Sequence, residues 1–387
     1  MTEDAPMATD SFTLGIEEEF QIIDPVNREL SCGISQMMEA SRGIDTVEIM
    51  PELHQSVVEV ASGICSDIHA ARADVIMNRR KVAALADRVN MRIAAASTHP
   101  FSNWQDQDIS VGERYDKLVG ELQDIARANV IFGLHVHVGI ENRDEAIAVY
   151  NSARYFLPHI MALSCSSPFS DRRRTGLMSS RSMIFKRLPR TGIPDAFKSY
   201  KEYEALIDLL VKTGCIDSQR RVWWDLRPHP IYSTLEYRVC DLPTRVDEVI
   251  AIAALIQALT ARLMQMHRDN QQWRSYPSAL IEENKWRAVR YGLDGKLIDF
   301  GRQKEVPIKV LIRELLQFVE PVVDYLGSRN ELEYIHTMLD VGTSADRQIA
   351  VYDAAIGQGA TEQEALEAVV DLLLSETMEG VAAQDSE

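Results

Sequence analysis

Apolar and polar residues alternate in several short segments of this chain. Apolar residues recur at about every second position in the segments at residues 15–20, 133–139 and 235–239. This period of two predicts β-strands, each with one apolar and one polar face. The polar positions carry acids, histidines and an arginine: Glu17, Glu19, His135, His137, Glu236 and Arg238. Such groups cost much free energy to bury unless a cation compensates, so the pattern indicates a metal-dependent active site on a sheet face.

The wider pattern mixes strands with helices and becomes mostly helical after Thr244. It predicts strands at residues 12–23, 45–50, 56–61, 91–96, 130–139, 222–226 and 233–239. It predicts helices at residues 67–90 (N-capped by Ser66), 112–128, 143–164, 244–268, 305–326, 329–339, 344–357 and 361–377. This order favours an α+β fold, with an antiparallel-rich sheet and helices on one side.

Composition narrows the classes of protein. The chain has 387 residues, 46% of them hydrophobic and 26% charged, as in soluble globular proteins. Its formal charge of −17 disfavours nucleic acid as a partner. The longest apolar run, at 249–256, is too short to cross a membrane, and residues 1–10 show no secretory signal. The five cysteines form no C-x-x-C pair, which suggests reduced thiols in a cytoplasmic protein.

Two further acids fall in the segment at 51–60. Glu59 lies inside an apolar run, and Glu52 precedes it; alone, each could be an edge-strand or loop charge. His135 and His137 could likewise be satisfied core histidines. Together these positions offer five carboxylates and one or two imidazoles. An oxygen-rich set of this kind suits Mg²⁺ or Mn²⁺ better than Zn²⁺.

A basic segment at 165–200 stands out in so acidic a chain. Its cations are Arg172, Arg173, Arg174, Arg181, Lys186, Arg187, Arg190 and Lys198. It is either a solvated loop or a loop that closes over an anionic substrate such as a nucleotide phosphate. The common phosphate-binding motifs are absent, so a nucleotide would be held through metal and arginines. Arg238 and Arg227 are candidates, although Arg227 could instead form a structural ion pair with Asp225.

Several motifs occur together in the order of a known family. They are Gly15-Ile-Glu-Glu-Glu-Phe20, Pro51-Glu-Leu53 with Glu59, Ser97-Thr-His-Pro-Phe101, Gly133-Leu-His-Val-His-Val-Gly139, Trp224-Asp-Leu-Arg-Pro228, Glu236-Tyr-Arg238 and the run from Glu283 to Gly295. The chain resembles the YbdK-like carboxylate–amine ligases, also called type 2 glutamate–cysteine ligases, over about residues 12–375.

The resemblance implies a glutamine-synthetase-like fold whose curved, mostly antiparallel sheet forms one catalytic domain at residues 12–377. Residues 1–11 and the acidic tail at 378–387 are expected to be disordered. The resemblance implies ATP-dependent amide formation through an acyl phosphate, between the γ-carboxylate of L-glutamate and the amine of L-cysteine. It also implies small amino-acid substrates and a homodimer.

The resemblance also carries residue roles. It assigns the metal, Mg²⁺ or Mn²⁺, to Glu17, Glu19, Glu52, Glu59, His135 and Glu236. Arg238 is expected to contact the transferred phosphate or the acidic substrate. Arg227 and His137 are further catalytic candidates, and Thr98, His99 and Arg227 are substrate candidates. From the basic segment, Lys186 and Arg187 join Arg238 as candidates for nucleotide binding. Trp286 and Arg287 belong to the family signature without an assigned role.

Other functions stay open at this point. The same chemistry could act on a different amine or carboxylate. A nucleotide-binding homologue without turnover would keep the fold, although such a costly acidic cluster argues for catalysis. A metal-dependent hydrolase could use the His-x-His pair, but it would need further histidines in matching strand positions. His54, His69, His159, His229 and His267 do not occupy such positions.

Overall fold

The computed structural model of the protein describes residues 11–44 and 46–381. The predicted disordered ends at 1–10 and 382–387 lie outside the described residues. The structure corrects the predicted start of the disordered tail, which was placed at residue 378. Val381 is buried in the main hydrophobic core, and its carbonyl oxygen accepts hydrogen bonds from Arg80. The ordered chain therefore extends past the expected boundary.

The principal sheet has seven strands, and all its pairings are antiparallel. The strands of the described chain are β1 (Leu14–Ile23), β2 (Ile49–Pro51), β3 (Val57–Ala61), β4 (Arg92–Ala94), β5 (Gly133–Gly139), β6 (Phe169–Ser170), β7 (Arg173–Arg174), β8 (Thr191–Gly192), β9 (Trp223–Trp224), β10 (Leu226–Pro228), β11 (Thr234–Asp241), β12 (Lys296–Asp299) and β13 (Lys304–Pro307). The order in the principal sheet is β10-β11-β5-β1-β3-β2, and β4 also pairs with β1.

The described chain contains fourteen α-helices, several of which pack against this sheet. They are α1 (Ile34–Ala40), α2 (Ile68–Arg88), α3 (Glu113–Leu122), α4 (Asp124–Arg127), α5 (Arg143–Ala153), α6 (Leu157–Ser164), α7 (Ser180–Phe185), α8 (Tyr200–Lys212), α9 (Val246–Arg268), α10 (Ser278–Tyr291), α11 (Ile308–Leu326), α12 (Arg329–Val341), α13 (Ser344–Gly357) and α14 (Glu362–Thr377). Sheet and helices together confirm the predicted α+β class.

The main core lies between the sheet and these helices. Leu134, Val136 and Val138 of β5 are fully buried there, as are the alternating apolar residues of β1 and β11. Helix α9 packs at the centre of this layer, where the hydroxyl groups of Tyr237 in β11 and Thr260 lie 2.9 Å apart. Because apolar side chains take one face of each strand, the acidic and histidine side chains are left on the other.

Helix α9 is long and apolar enough to span a membrane by length and composition. However, 83% of its most apolar 18-residue window is buried inside the protein. It contacts the neighbouring helices α11 and α12 as well as the sheet. The helix is therefore the central helix of the core.

Candidate active site

The register of the strands brings the predicted site residues together on the sheet face opposite α9. Glu17 of β1 pairs across to His135 of β5, and Glu19 pairs across to Glu59 of β3. On the other side of β5, His137 pairs across to Glu236 of β11. Side chains on adjacent strands at paired positions lie on the same face, so acids from three strands meet two histidines there.

Glu17 lies between the two histidines. Its Oε2 is 2.9 Å from Nδ1 of His135, and its Oε1 is 3.2 Å from Nε2 of His137. Burial alone would raise the pKa of Glu17, but the hydrogen bond to His135 and the nearby imidazole of His137 lower that pKa well below its usual range. Burial and the guanidinium of Arg238 lower the pKa of His135 to about 4. Glu17 is therefore ionised and His135 neutral at physiological pH, the states that metal ligands need.

Glu19, Glu52 and Glu59 form a second acidic group beside the first. Glu19 Oε2 accepts a hydrogen bond of 2.6 Å from the Gly133 backbone N–H. Burial and the charge of Glu52 raise the pKa of Glu19 to about 7 and raise the pKa of Glu59 well above its usual value. Mutual repulsion between buried carboxylates is removed when a cation is placed between them.

Glu236 is held by two arginines. Arg227 on β10 donates from Nε to Oε2 at 2.6 Å and from Nη2 to Oε1 at 3.1 Å, and Arg238 Nη1 also donates to Oε1. Burial alone would raise the pKa of Glu236, but the charges of Arg238 and Arg227 hold that pKa well below its usual range. The alternative ion pair of Arg227 with Asp225 is wrong: Asp225 instead accepts a 2.6 Å hydrogen bond from Nζ of Lys285.

The donor set fits a hard divalent cation. Glu17, His135 and Glu236 each present one ligand atom, and these atoms all lie within 4.8 Å of one another. The second group adds the carboxylates of Glu19 and Glu59, whose pKa values are raised by burial and by the charge of Glu52. Oxygen ligands with a single imidazole match the preference of Mg²⁺ or Mn²⁺.

The remaining predicted residues lie outside this acidic group. Thr98, His99 and Arg187 line one small cavity, also bordered by Trp104 and Val130. His99 is saturated within the protein, because its Nδ1 accepts from two backbone N–H groups and its Nε2 lies 2.9 Å from the Arg28 carbonyl oxygen. The hydroxyl of Thr98 likewise donates to the Phe169 carbonyl oxygen.

The basic segment is folded rather than a solvated loop, and its cations do not converge on one anion site. It contains β6, β7, α7 and β8. Arg174 pairs with Asp353 at the surface, and Lys186 pairs with Glu282 at 2.9 Å. Lys186 therefore forms a surface salt bridge, a position that does not support its predicted role in nucleotide binding. Arg181 alone among these cations is buried, at 3% exposure.

Sequence reasoning missed two residues that border the site. Gln21 lies two residues after Glu19, so the period of two already predicts that it shares the face of Glu17 and Glu19. It is fully buried, and its Oε1 has no hydrogen-bond partner within the described chain. Arg181 carried no comparable signal, because seven other cations surround it in sequence.

Comparisons with known proteins agree over nearly the whole chain. Residues 13–371 match the profile "Glutamate-cysteine ligase family 2". A relative from Sorangium cellulosum is 52% identical over 383 residues, covering 98% of this chain and 100% of the relative. A relative from Chloroflexus aurantiacus is 52% identical over 373 residues, covering 96% of this chain and 94% of the relative. The names of both relatives give glutamate–cysteine ligase 2 as a provisional activity.

Solved structures show the same fold at low identity. A glutamate–cysteine ligase from Francisella tularensis in complex with AMP has a TM-score of 0.64 at 14% identity, over 97% of this chain and 95% of that one. A bifunctional glutathione synthetase from Pasteurella multocida also gives 0.64 at 14% identity, over 95% of this chain but 53% of the larger protein. The sequence match and the acidic sheet face lead to one conclusion: the chain belongs to the glutamate–cysteine ligase family 2.

Proposed function

We propose that this protein is an ATP-dependent ligase that joins the γ-carboxylate of L-glutamate to the amine of L-cysteine. The observation that carries the proposal is the acidic sheet face. Glu17, Glu19 and Glu236 meet His135 there, beside the half-buried cation of Arg238. Activating a carboxylate with ATP brings several negative charges together, so the reaction needs a site that gathers cations and fixes orientations.

The acids and His135 would hold Mg²⁺ or Mn²⁺, which when bound supplies charge neutralisation for the phosphate groups. The protein residues provide orientation. Arg227 uses its Nε and Nη2 on Glu236 and its Nη1 on the Val222 carbonyl oxygen, so it acts as a positioning residue for Glu236.

Arg238 is better placed to meet a reactant. Its Nε is buried without a hydrogen-bond partner in the described residues, while its Nη1 binds Glu236. A guanidinium with a free donor in a low-dielectric site favours charge that develops on a transferred phosphoryl group. In the proposed reaction the carboxylate attacks the γ-phosphorus of ATP and ADP leaves. The amine then attacks the acyl phosphate, phosphate leaves, and the amine loses one proton.

Nucleotide use is further supported by the structural relatives. The Francisella enzyme of the same fold was solved with AMP. Small amino-acid substrates agree with the family name. The choice of cysteine as the amine rests on the family name, because none of the described site residues is specific for a thiol.

Phosphate release from Mg·ATP tests the function directly. Purified protein is assayed with L-glutamate and a panel of amines that includes L-cysteine, and the amide is identified by mass spectrometry. We expect release that requires glutamate and rises with cysteine. Release with another pair would keep the chemistry and change the substrate. Binding of ATP without release for any pair would instead favour the non-catalytic homologue.

Variants in the acidic group connect the activity to this face. Glu17→Gln and Glu236→Gln keep the side-chain shape but remove one ligand charge each, so we expect turnover to fall by about 100-fold or more. Glu141→Gln, at an exposed acid just after β5, is the matched control and should keep normal turnover. Near-normal turnover and metal affinity in both site variants would place the reaction elsewhere.

A further inference from the structure

Arg181 is a buried cation without a direct salt bridge in the described chain, although the charges of Glu19 and Asp241 act on it through space. Its side chain is 3% exposed, and within residues 11–44 and 46–381 it forms no salt bridge. Its Nη2 donates a long 3.3 Å hydrogen bond to the Arg238 carbonyl oxygen, and its Nε is buried without a partner. The Phe185 ring lies 5.5 Å from its guanidinium carbon. A buried arginine with free donors is costly unless an anion binds it.

The guanidinium lies on the acidic face of the sheet, over Gly133. A Cβ atom on Gly133 would stand 2.5 Å from Nη2 of Arg181, so glycine leaves the room that this side chain fills. Residue 133 shares its face with His135 by strand alternation. The Gly133 N–H also donates to Glu19, which places Arg181 beside the second acidic group.

A buried hub of hydrogen bonds fixes the helix that carries Arg181. Asp241 at the end of β11 accepts from Ser166 N–H and from the hydroxyls of Ser167 and Ser179. Ser167 Oγ in turn accepts from the Arg181 N–H. These contacts fasten the start of α7 to the sheet, so the position of the guanidinium is set before any ligand binds.

We propose that Arg181 binds an oxyanion of one reactant, either the substrate carboxylate or the transferred phosphoryl group. This inference rests on the proposed function, because that reaction brings both anions to the acidic face. The free Nε and the weakly used Nη2 of Arg181 form a planar pair of donors. Such a pair suits two oxygens of a carboxylate or phosphate, which an ammonium group cannot match.

Equilibrium binding tests the role without turnover. Wild type, Arg181→Met and Arg181→Lys are titrated by calorimetry with L-glutamate, with Mg·AMP-PNP and with inorganic phosphate plus Mg²⁺. We expect Arg181→Met to weaken one ligand by about tenfold to a hundredfold, and Arg181→Lys to recover part of the loss. A loss confined to glutamate identifies the carboxylate, and a loss shared by AMP-PNP and phosphate identifies the phosphoryl group.

Two more variants keep the test decisive. Gly133→Ala leaves Arg181 in the chain but displaces its guanidinium, so it should weaken the same ligand even if Arg181→Met does not fold. Arg173→Ala removes an exposed cation of the same segment and should change no affinity.

Unchanged affinities in folded Arg181→Met and Gly133→Ala would overturn the role of Arg181, as would a wild type that binds none of the three probes. A wild type that binds them yet forms no amide with any pair would overturn the proposed function alone.

Discussion

At the scale of single residues, His159 shows how burial controls a charge. It is 3% exposed, with its ring centroid 5.6 Å from that of Tyr155 and 5.8 Å from that of Phe156. Its Nδ1 has no hydrogen-bond partner within the described chain. Burial lowers the pKa of His159 to about 4. The native protein thus keeps this imidazole neutral at pH values where an unfolded chain would protonate it.

We expect His159→Phe to change the pH dependence of stability. The unfolded histidine binds a proton below pH 6.5 and the native one only below about pH 4, so wild-type stability falls as the pH drops through this window. Between pH 7 and pH 5 the free energy of unfolding of the variant should gain about 2 kcal/mol relative to wild type. Urea denaturation at both pH values measures the difference. A pH-independent difference would show that His159 does not titrate this way.

Single positions in the site differ in how far sequence could place them. Glu17 and His135 follow from the period of two, since alternation alone sets the face of a strand. Sequence could not show that His99 uses both ring nitrogens on backbone groups. Nor could it show that Arg227 donates to Glu236 from both Nε and Nη2, because these contacts depend on tertiary packing.

At the scale of elements, α2 shows where a helix begins. Ser66 was the predicted cap, but Asp67 is the N-cap, and its Oδ1 accepts from the backbone N–H groups of His69 and Ala70. The hydroxyl of Ser66 donates to Asp67 instead. The cap lies one residue later because the carboxylate is the stronger acceptor for these N–H groups.

This shift gives a matched pair of substitutions. Asp67→Ala removes the acceptor for two backbone N–H groups, so it should lower the free energy of unfolding by about 1 kcal/mol. Ser66→Ala should lower it by less, because the hydroxyl only supports the cap. Thermal and urea denaturation of both variants give the comparison. An equal or larger loss of unfolding free energy in Ser66→Ala would show that Ser66, the predicted residue, is the N-cap.

Strong periodicity located most of the elements. The predicted helix at 344–357 matches α13, while the predicted helix at 143–164 divides into α5 and α6 around a short 3-10 turn. Helix α10 was missed as an element because its buried face includes polar residues, Asn284 and Lys285. Helix α8 was missed because it follows the basic segment that was expected to be a loop.

At the scale of the whole molecule, one buried arginine joins distant parts of the chain. Arg79 in α2 is fully buried and donates to Glu18 at 2.6 Å. Its Nη1 also donates to the carbonyl oxygens of Thr244 and Thr377. The sheet, the start of α9 and the end of α14 therefore share one guanidinium.

We expect Arg79→Met to be strongly destabilising. It leaves the Glu18 carboxylate buried and unpaired, which costs about 3–5 kcal/mol. The double variant Glu18→Met/Arg79→Met removes that charge as well and should be more stable than the single variant, as measured by urea denaturation. A double variant no more stable than Arg79→Met would show that the unpaired Glu18 carboxylate is not the main cost of losing Arg79.

The fold and its acidic face were largely predictable because both follow from short-range periodicity and motif order. The position of Arg181 was not, because it depends on a hub that joins α7 to the far end of β11. Asp241 and Ser167 are 74 residues apart, and neither forms part of a local pattern.

The bond from Arg79 to the Thr377 carbonyl oxygen spans 298 residues. At about 5–20 residues per second, a ribosome needs roughly 15 to 60 seconds to make the second partner after the first. Throughout that time the guanidinium of Arg79 lacks one of its acceptors, the Thr377 carbonyl oxygen, although Glu18 is already made. The layer behind the acidic face therefore reaches its native form only when α14 emerges, and synthesis rate sets the earliest moment at which the site can bind its reactants.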